Sequence, residues 1–305
     1  MLAGRLIRYM HTSNSIWQVA SNNKTLLAEL RKKTGYTFSN CRKALQLHEN
    51  DVQKAEQWLI EQAQALGWSK ATKLEGRATA QGLIAVLVKD HHAALVEVNC
   101  ETDFVARNKQ FRGLVNTTAT AALNYASSSV SGQDLTNKVS LDTEALKALP
   151  ANDGKSLADH SALVIGSVGE NLCVRRALCV TVKDGVYIAG YSHPAPLSPT
   201  SDLVGKYAAL VAFKTPQSAD ELGKRLCQHV IGMNPTKIGQ KGVDEPNPVS
   251  EDETAMIFQD YLLDPSITVE QLLIDNGAEV LDFARFEAGE SLAAEQNLDS
   301  VETCG

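Results

Sequence analysis

Two regions of the chain carry the same order of signals: β-rich runs, then a helical pattern. That order restricts the fold to an α+β class with antiparallel sheets. In the first region, residues 82–89 and 93–100 are rich in Val, Ile, Leu and Ala, and Lys89-Asp90-His91-His92 joins them with hairpin spacing. Thr102-Asp103 then supplies a cap for a helix whose core face is Phe111, Leu114, Val115, Ala122 and Leu123. In the second region, residues 173–182 and 186–191 flank Asp184-Gly185, which reads as a tight hairpin turn. Residues 207–213 read as a third strand. Ser218 with Glu221 reads as a capping box for a helix carrying Leu222, Leu226 and Val230. The two regions share element order without sequence identity, which predicts two α+β subdomains. Between them, residues 127–159 are polar and turn-rich and read as a connection with one short helix near 142–149.

Upstream, residues 23–73 are helical in pattern. Leu26, Leu27 and Leu30 give a first apolar face, broken at Gly35. Ser39 is a candidate N-cap for a second helix with Cys41, Ala44 and Leu45. Asn50-Asp51 restart the pattern, with Val52, Ala55, Leu59, Ala63 and Leu66 at spacings of three and four. Three helices with Gly35-Tyr36 after the first resemble a ubiquitin-associated bundle. This module has nine basic and five acidic residues, whereas the chain from position 75 onward has 18 basic and 31 acidic. Such a basic surface is either simply solvated or a docking face. From Met1 to Ala28 no acidic residue occurs, Arg5, Arg8 and Lys24 are basic, and Leu2, Leu6 and Met10 share one helical face. A mitochondrial transit peptide has that composition, and an ordinary N-terminal tail is the alternative. The expected division is a transit peptide at 1–22, the three-helix module at 23–73, core subdomains at 74–160 and 161–290, and an acidic tail at 291–305.

Several function classes fall away on composition. The net charge of −7 opposes general nucleic-acid binding, and the apolar run at 83–88 is far too short to span a bilayer. Neither direct nucleic-acid contact nor membrane contact is expected. Six cysteines, at 41, 100, 173, 179, 227 and 304, form no C-x-x-C pair, which suits a reducing compartment. Phosphate-loop, dinucleotide, serine-hydrolase and zinc-protease signatures are all absent from the sequence. His91-His92 lacks a third ligand, so no metal or cofactor is expected. Glu97, Glu101 and Asp103 cluster in sequence and leave a metal-dependent hydrolase open, although no nucleophile stands near them. The helical module by itself leaves a ubiquitin-binding adaptor open.

Longer motifs are more specific. Leu30-Arg31-Lys32-Lys33-Thr34-Gly35, followed by Cys41-Arg42-Lys43-Ala44-Leu45, resembles the N-terminal signature of the elongation factor Ts family. Residues 97–108, Glu-Val-Asn-Cys-Glu-Thr-Asp-Phe-Val-Ala-Arg-Asn, are similar to that family's central signature. Gly169-Glu170-Asn171 with Arg175-Arg176, Gly190-Tyr191-Ser192-His193 and Gln228-His229-Val230 resemble its C-terminal subdomain. Asp264-Pro265-Ser266 through Phe286-Glu287 resembles its closing segment. Ordered blocks thus cover about residues 24–290. Two departures stand out. Residues 233–252 are short and rich in Pro, Gly and acids where bacterial members carry a long helical hairpin, and Pro194 replaces a common glycine. Mitochondrial members share the shortened segment.

The resemblance implies a non-enzymatic guanine-nucleotide exchange factor for mitochondrial elongation factor Tu, working in the mitochondrial matrix, with one factor on one GTPase. It assigns Thr102, Asp103, Phe104 and Val105 to the segment that dislodges Mg²⁺ from the partner's nucleotide site. Mg²⁺ bridges the nucleotide phosphates to the GTPase, so its loss removes a large electrostatic term. Phe104 is the expected wedge; the competing role is a core aromatic at the strand–helix junction. Val168 and His193 match further contact positions, against the alternatives of core residue and ordinary loop histidine. Arg31, Tyr36 and Phe38 are the module's candidate contacts, although Tyr36 and Phe38 equally suit its core.

Overall fold

The computed structural model describes residues 25–194, except 35 and 37, and 204–291, except 217. The expected transit peptide and, from residue 292, the expected acidic tail lie outside the described residues.

The described residues begin with α1 (25–34), α2 (Phe38–Leu47) and α3 (Val52–Leu74). Leu30, Tyr36, Cys41, Ala44, Leu45, Ala55, Leu59 and Ala63 bury together and hold these three helices as one bundle. Asp51 caps α3 by accepting from the backbone N–H groups of Gln53 and Lys54, each at 3.0 Å. Ser39, the expected cap of the second helix, instead lies inside α2. Leu66 is exposed because α3 outruns the bundle that it completes.

The core follows in the order β1 (Gln81–Lys89), β2 (His92–Cys100), α4 (Asp103–Ala106), α5 (Lys109–Ser129), β3 (Thr136–Leu141), α6 (Thr143–Ala148) and α7 (Leu157–Val168). Next come β4 (Leu172–Val182), β5 (Tyr187–His193), β6 (Val204–Gly205), β7 (Tyr207–Lys214) and α8 (Ala219–Met233). The described chain closes with β8 (Asp260–Tyr261), β9 (Asp264–Thr268), α9 (Val269–Asp275) and β10 (Glu279–Glu287). Strands order as β3-β4-β2-β1-β6 in one antiparallel sheet and as β10-β7-β5 in another, with β8-β9 as a small ribbon. The fold is α+β with antiparallel sheets, as the strand signals predict.

Alternation along the strands explains the layers. Leu83, Ala85, Ala94, Val96 and Val98 face outward onto Phe111, Leu114 and Val115 of α5. Ile84, Val86, Ala93 and Leu95 face the other way, onto Leu210 and Ala212 of β7. The two sheets therefore stack face to face. Leu222, Leu226 and Val230 of α8 cover the far side of the smaller sheet.

Three local expectations fail in this frame. Asp184-Gly185 makes a turn, but its flanking strands do not pair: β4 joins β2 and β3, while β5 crosses to the other sheet and pairs with β7. The polar stretch after 127 holds the short helix α6 where one was expected, but it also holds edge strand β3 and the start of α7, which Ser156 and Asp159 close with a true capping box. Ser218 precedes α8 without making the side-chain cap bond.

The helical bundle is keyed to the core through α3 and α7. A Cβ placed on Gly67 would overlap the Ala162 carbonyl, and one placed on Gly166 would overlap that of Ala63, so only hydrogen fits between these backbones. Lys70 Nζ donates to the Gly166 carbonyl at 3.2 Å, and Leu163 of α7 packs into the bundle's own core. Among the described residues no helix is long and apolar enough to cross a membrane.

Candidate functional site

The signature segment 97–108 divides into a buried half and a presented half. Glu97 lies on the face of β2 turned toward the second sheet and is 0% exposed. The register of β2 and β4 slips where Glu97 faces Arg176 and Val98 faces Val174, which leaves Arg175 as the extra residue of a bulge. Both guanidiniums then reach one carboxylate: Arg175 at 3.1 Å and Arg176 at 2.6 Å. Asn99 Nδ2 and the Gly289 N–H add bonds at 3.0 and 2.8 Å. Arg176 and Arg285 also pair with Glu290, and Arg176 stacks on Phe286 with its Cζ 3.8 Å from the ring centroid. This network ties β2, β4 and the end of β10 together. Glu97 is occupied by two cations and shares no site with Glu101, whose carboxylate pairs with Arg77 at 3.5 Å and accepts from the Asn171 N–H at 2.7 Å.

After Cys100 the chain turns into α4, a single helical turn. Thr102 has extended backbone (φ −125°, ψ 155°), and its Oγ1 caps the turn by accepting from the Val105 N–H at 3.4 Å. The same hydroxyl donates to Glu170, at 2.8 Å to Oε1, and the Thr102 N–H donates to Glu170 Oε2 at 3.1 Å. A lone turn puts half its side chains inward. Val105 and Ala106 are those, packed into the large core. Phe104 points out and is 78% exposed, the most exposed large apolar side chain among the described residues. Asp103 is also at the surface and pairs with Arg107 at 2.8 Å, a solvated i,i+4 pair. Asn108 ends the turn and caps α5.

The other candidates fall into place around this turn. Gln110, in the first turn of α5, donates to the Thr34 carbonyl at 2.6 Å and accepts from Ser167 Oγ. The end of α1 and the end of α7 thus meet beside α4. Phe38 is 49% exposed, with the Arg31 guanidinium 3.9 Å from its ring centroid, a cation–π pair at the module surface. Tyr36 is 6% exposed and belongs to the bundle core, where burial pushes its hydroxyl up to about 12. Val168 ends α7, half-buried against the large core. His193 ends β5 and is exposed; its carbonyl accepts from the Lys206 N–H at 2.8 Å. Lys206 Nζ in turn bonds Gln81 at 3.0 Å, and Gln81 pairs with Cys100. His193 and the Phe104 turn therefore open at the same end of the two sheets.

Sequence reasoning missed the surroundings of His193. Its ring lies 6.4 Å from that of Tyr207, and both line a groove of ≈ 530 Å³ with Tyr191, Arg285, Leu262 and Leu263. The leucine pair forms the tip of the β8–β9 ribbon, and its one signal was an apolar doublet before Asp264-Pro265-Ser266. Glu170 was missed as well, for no local pattern reveals a bond made 68 residues away. His91 and His92 diverge: the first lies 3.4 Å from Asp184, the second bonds Thr181 Oγ1 at 3.0 Å.

Exposed aromatics held on braced elements, as Phe104 and Phe38 are here, are of the kind enriched in protein–protein contacts. Residues 7–69 match the family model described as the N-terminal region of mitochondrial elongation factor Ts, and residues 101–255 match that for elongation factor TS. A mitochondrial elongation factor Ts of Aedes aegypti is 52% identical over 297 residues, covering 96% of each chain. That of Drosophila melanogaster is 45% identical over 304 residues, covering 96% of this chain and 95% of its own. The Homo sapiens protein is 44% identical over 278 residues, covering 89% and 85%. The chain belongs to the elongation factor Ts family, in its mitochondrial form, and is a translation elongation factor.

Proposed function

We propose that this protein is a guanine-nucleotide exchange factor for mitochondrial elongation factor Tu, and that Phe104 is the residue driven into the GTPase to loosen its Mg²⁺ and phosphate site. The observation that carries this reading is the exposure of Phe104 on a turn whose other apolar residues are buried. A solvated phenyl ring contributes nothing to its own fold, whereas seating it in a partner pocket contributes about 1.5–3 kcal/mol. Asp103, beside it, brings a negative charge toward the groups that hold the metal. Thr102 and Val105 are the frame of the wedge, Thr102 through its cap and Val105 from within the core. Arg31 and Phe38 form the second contact, with Tyr36 packed beneath it, Val168 half-buried at the end of α7, and His193 at the third.

The protein acts on its partner without chemistry of its own, in the mitochondrial matrix, after removal of a transit peptide within 1–22. The absence of helix among residues 234–249 favours a complex of one factor with one GTPase, because no long helical hairpin is there to join two complexes. Release of a fluorescent GDP from mitochondrial elongation factor Tu, followed with and without the protein, tests the function directly. Acceleration that saturates with added protein is expected; an unchanged release rate refutes it.

A further inference from the structure

We infer that Glu101 and Glu170 form a reciprocal clasp that holds Phe104 in its outward presentation, which makes both of them positioning residues of the docking surface. The inference rests on the reading of Phe104 given above. Each carboxylate accepts the backbone N–H of the residue that follows the other: Glu101 takes that of Asn171 at 2.7 Å, and Glu170 takes that of Thr102 at 3.1 Å. Glu170 also receives the Thr102 hydroxyl at 2.8 Å, the group that caps α4. Hydrogen bonds to ionised carboxylates are the strong kind, and these tie two chain segments about 70 residues apart.

The clasp matters because α4 cannot orient itself. A single turn fixes its dihedrals for almost no internal hydrogen bonding, so its geometry is imposed from outside. Two anchors do this. Val105 and Ala106 hold the turn from below, and the clasp holds its N-terminal end. Phe104 has too little packing of its own to choose a direction. The other side of the clasp is equally built. Gly169 caps α7 at φ +81°, a left-handed backbone with open space around it, so its conformation rather than crowding calls for glycine. That cap swings Glu170 out of the helix line toward Thr102. Because α7 is also keyed to the helical bundle, the clasp links the Phe104 turn to the bundle that carries Arg31 and Phe38.

Glu170→Ala and Glu170→Gln in the full chain, with 4-fluorophenylalanine at position 104, test the clasp. In Glu170→Ala, GDP release from mitochondrial elongation factor Tu at saturating factor falls about ten-fold or more, a loss of orientation. The factor concentration at half-maximal release shifts less than in Phe104→Ala. The double variant Phe104→Ala/Glu170→Ala is no slower than Phe104→Ala alone, since Glu170 acts through the ring. The fluorine resonance of the free Glu170→Ala protein moves toward that of a freely rotating ring. Glu170→Gln, which still accepts from the Thr102 N–H, recovers most of the release rate. Losses that multiply in the double variant, or an unchanged maximal rate with an unchanged resonance, overturn the clasp. Normal release by Phe104→Ala at saturation would instead sink the wedge reading, and the fluorine resonance alone then decides the clasp. If Glu170→Ala does not fold, Thr102→Val, which removes the hydroxyl held by Glu170, takes its place with the same expected losses.

Discussion

Glu97 stands in the most specific motif of the chain, yet its surroundings predict that changing it damages stability before function. Glu97→Ala removes a fully buried carboxylate that receives four donors and leaves Arg175 and Arg176 facing an empty site, with their side chains only 16–17% exposed. Glu290 still engages both arginines, through its carboxylate and its carbonyl, so the charges are not wholly abandoned. Breaking one side of a buried pair costs about 3–5 kcal/mol, and the Glu290 contacts place the expectation at the lower end, about 3 kcal/mol. For a folded unit of this size that is a fall in Tm of roughly 6–12 °C. Glu97→Gln keeps the shape but turns an amide N–H toward a guanidinium, so it should lose stability as well, by a smaller amount. Urea unfolding followed by circular dichroism gives both numbers, with the m-value checking that the cooperative unit is unchanged. A Glu97→Ala protein within about 0.5 kcal/mol of the parent would refute the assignment and return Glu97 to the list of functional carboxylates.

Phe104→Ala leaves the unfolding free energy within about 0.5 kcal/mol of the parent, because the ring is solvated, while weakening binding to the GTPase by about 2–4 kcal/mol in titration calorimetry. Gly166→Ala forces α3 and α7 apart and lowers stability by about 1–3 kcal/mol despite the better helix former. Gly113→Ala, with open space around it in α5, raises stability by about 0.5–1 kcal/mol in the same unfolding assay. His229 is buried: its Nδ1 accepts from the Leu262 N–H at 3.3 Å, its Nε2 meets Gln259 Oε1 at 3.0 Å, and burial lowers its pKa. The unfolded chain therefore takes up this proton first, so its contribution is complete above about pH 6.5 and declines as pH falls toward the lowered folded value. Urea midpoints between pH 5 and 7.5 should flatten in His229→Gln relative to the parent.

How much of this was legible in the sequence depended on whether a strand's neighbours are local. β1 and β2 form a hairpin with a two-residue turn, and their alternation predicted both faces. Asp184-Gly185 offers equally good turn chemistry, yet β4 and β5 part there. The difference lies in β2, which already occupies one edge of β4, and in β7, which takes β5. Local turn preference says that the chain bends, not which sheet it enters. β3 was missed because its alternation is short: only Val139 and Leu141 are apolar, too few to mark a strand. The missing cap bond at Ser218 shows a motif satisfied in letters and not in geometry.

The candidate site was legible in position but not in roles, and the reason is the brevity of α4. In a long helix, periodicity would say which of Asp103, Phe104, Val105 and Ala106 faces inward. Four residues span one turn and carry no period, so spacing alone left Phe104 suited to core or surface, and only the family resemblance favoured the surface. What decides is the anchoring at either end: Thr102 held by Glu170, and Asn108 capping α5 over Phe111 and Leu114. Once both ends are fixed, only one rotation of the turn sends two side chains into the large core. That rotation buries Val105 and Ala106 and leaves Phe104 with nowhere to pack on its own chain. Tyr36 and Phe38 divide by the same logic: Tyr36 is buried in the bundle core, and Phe38 is left at the surface beside Arg31. The exposed aromatics are thus what remains after the core has been filled, which is why they can be given to a partner without loss of fold.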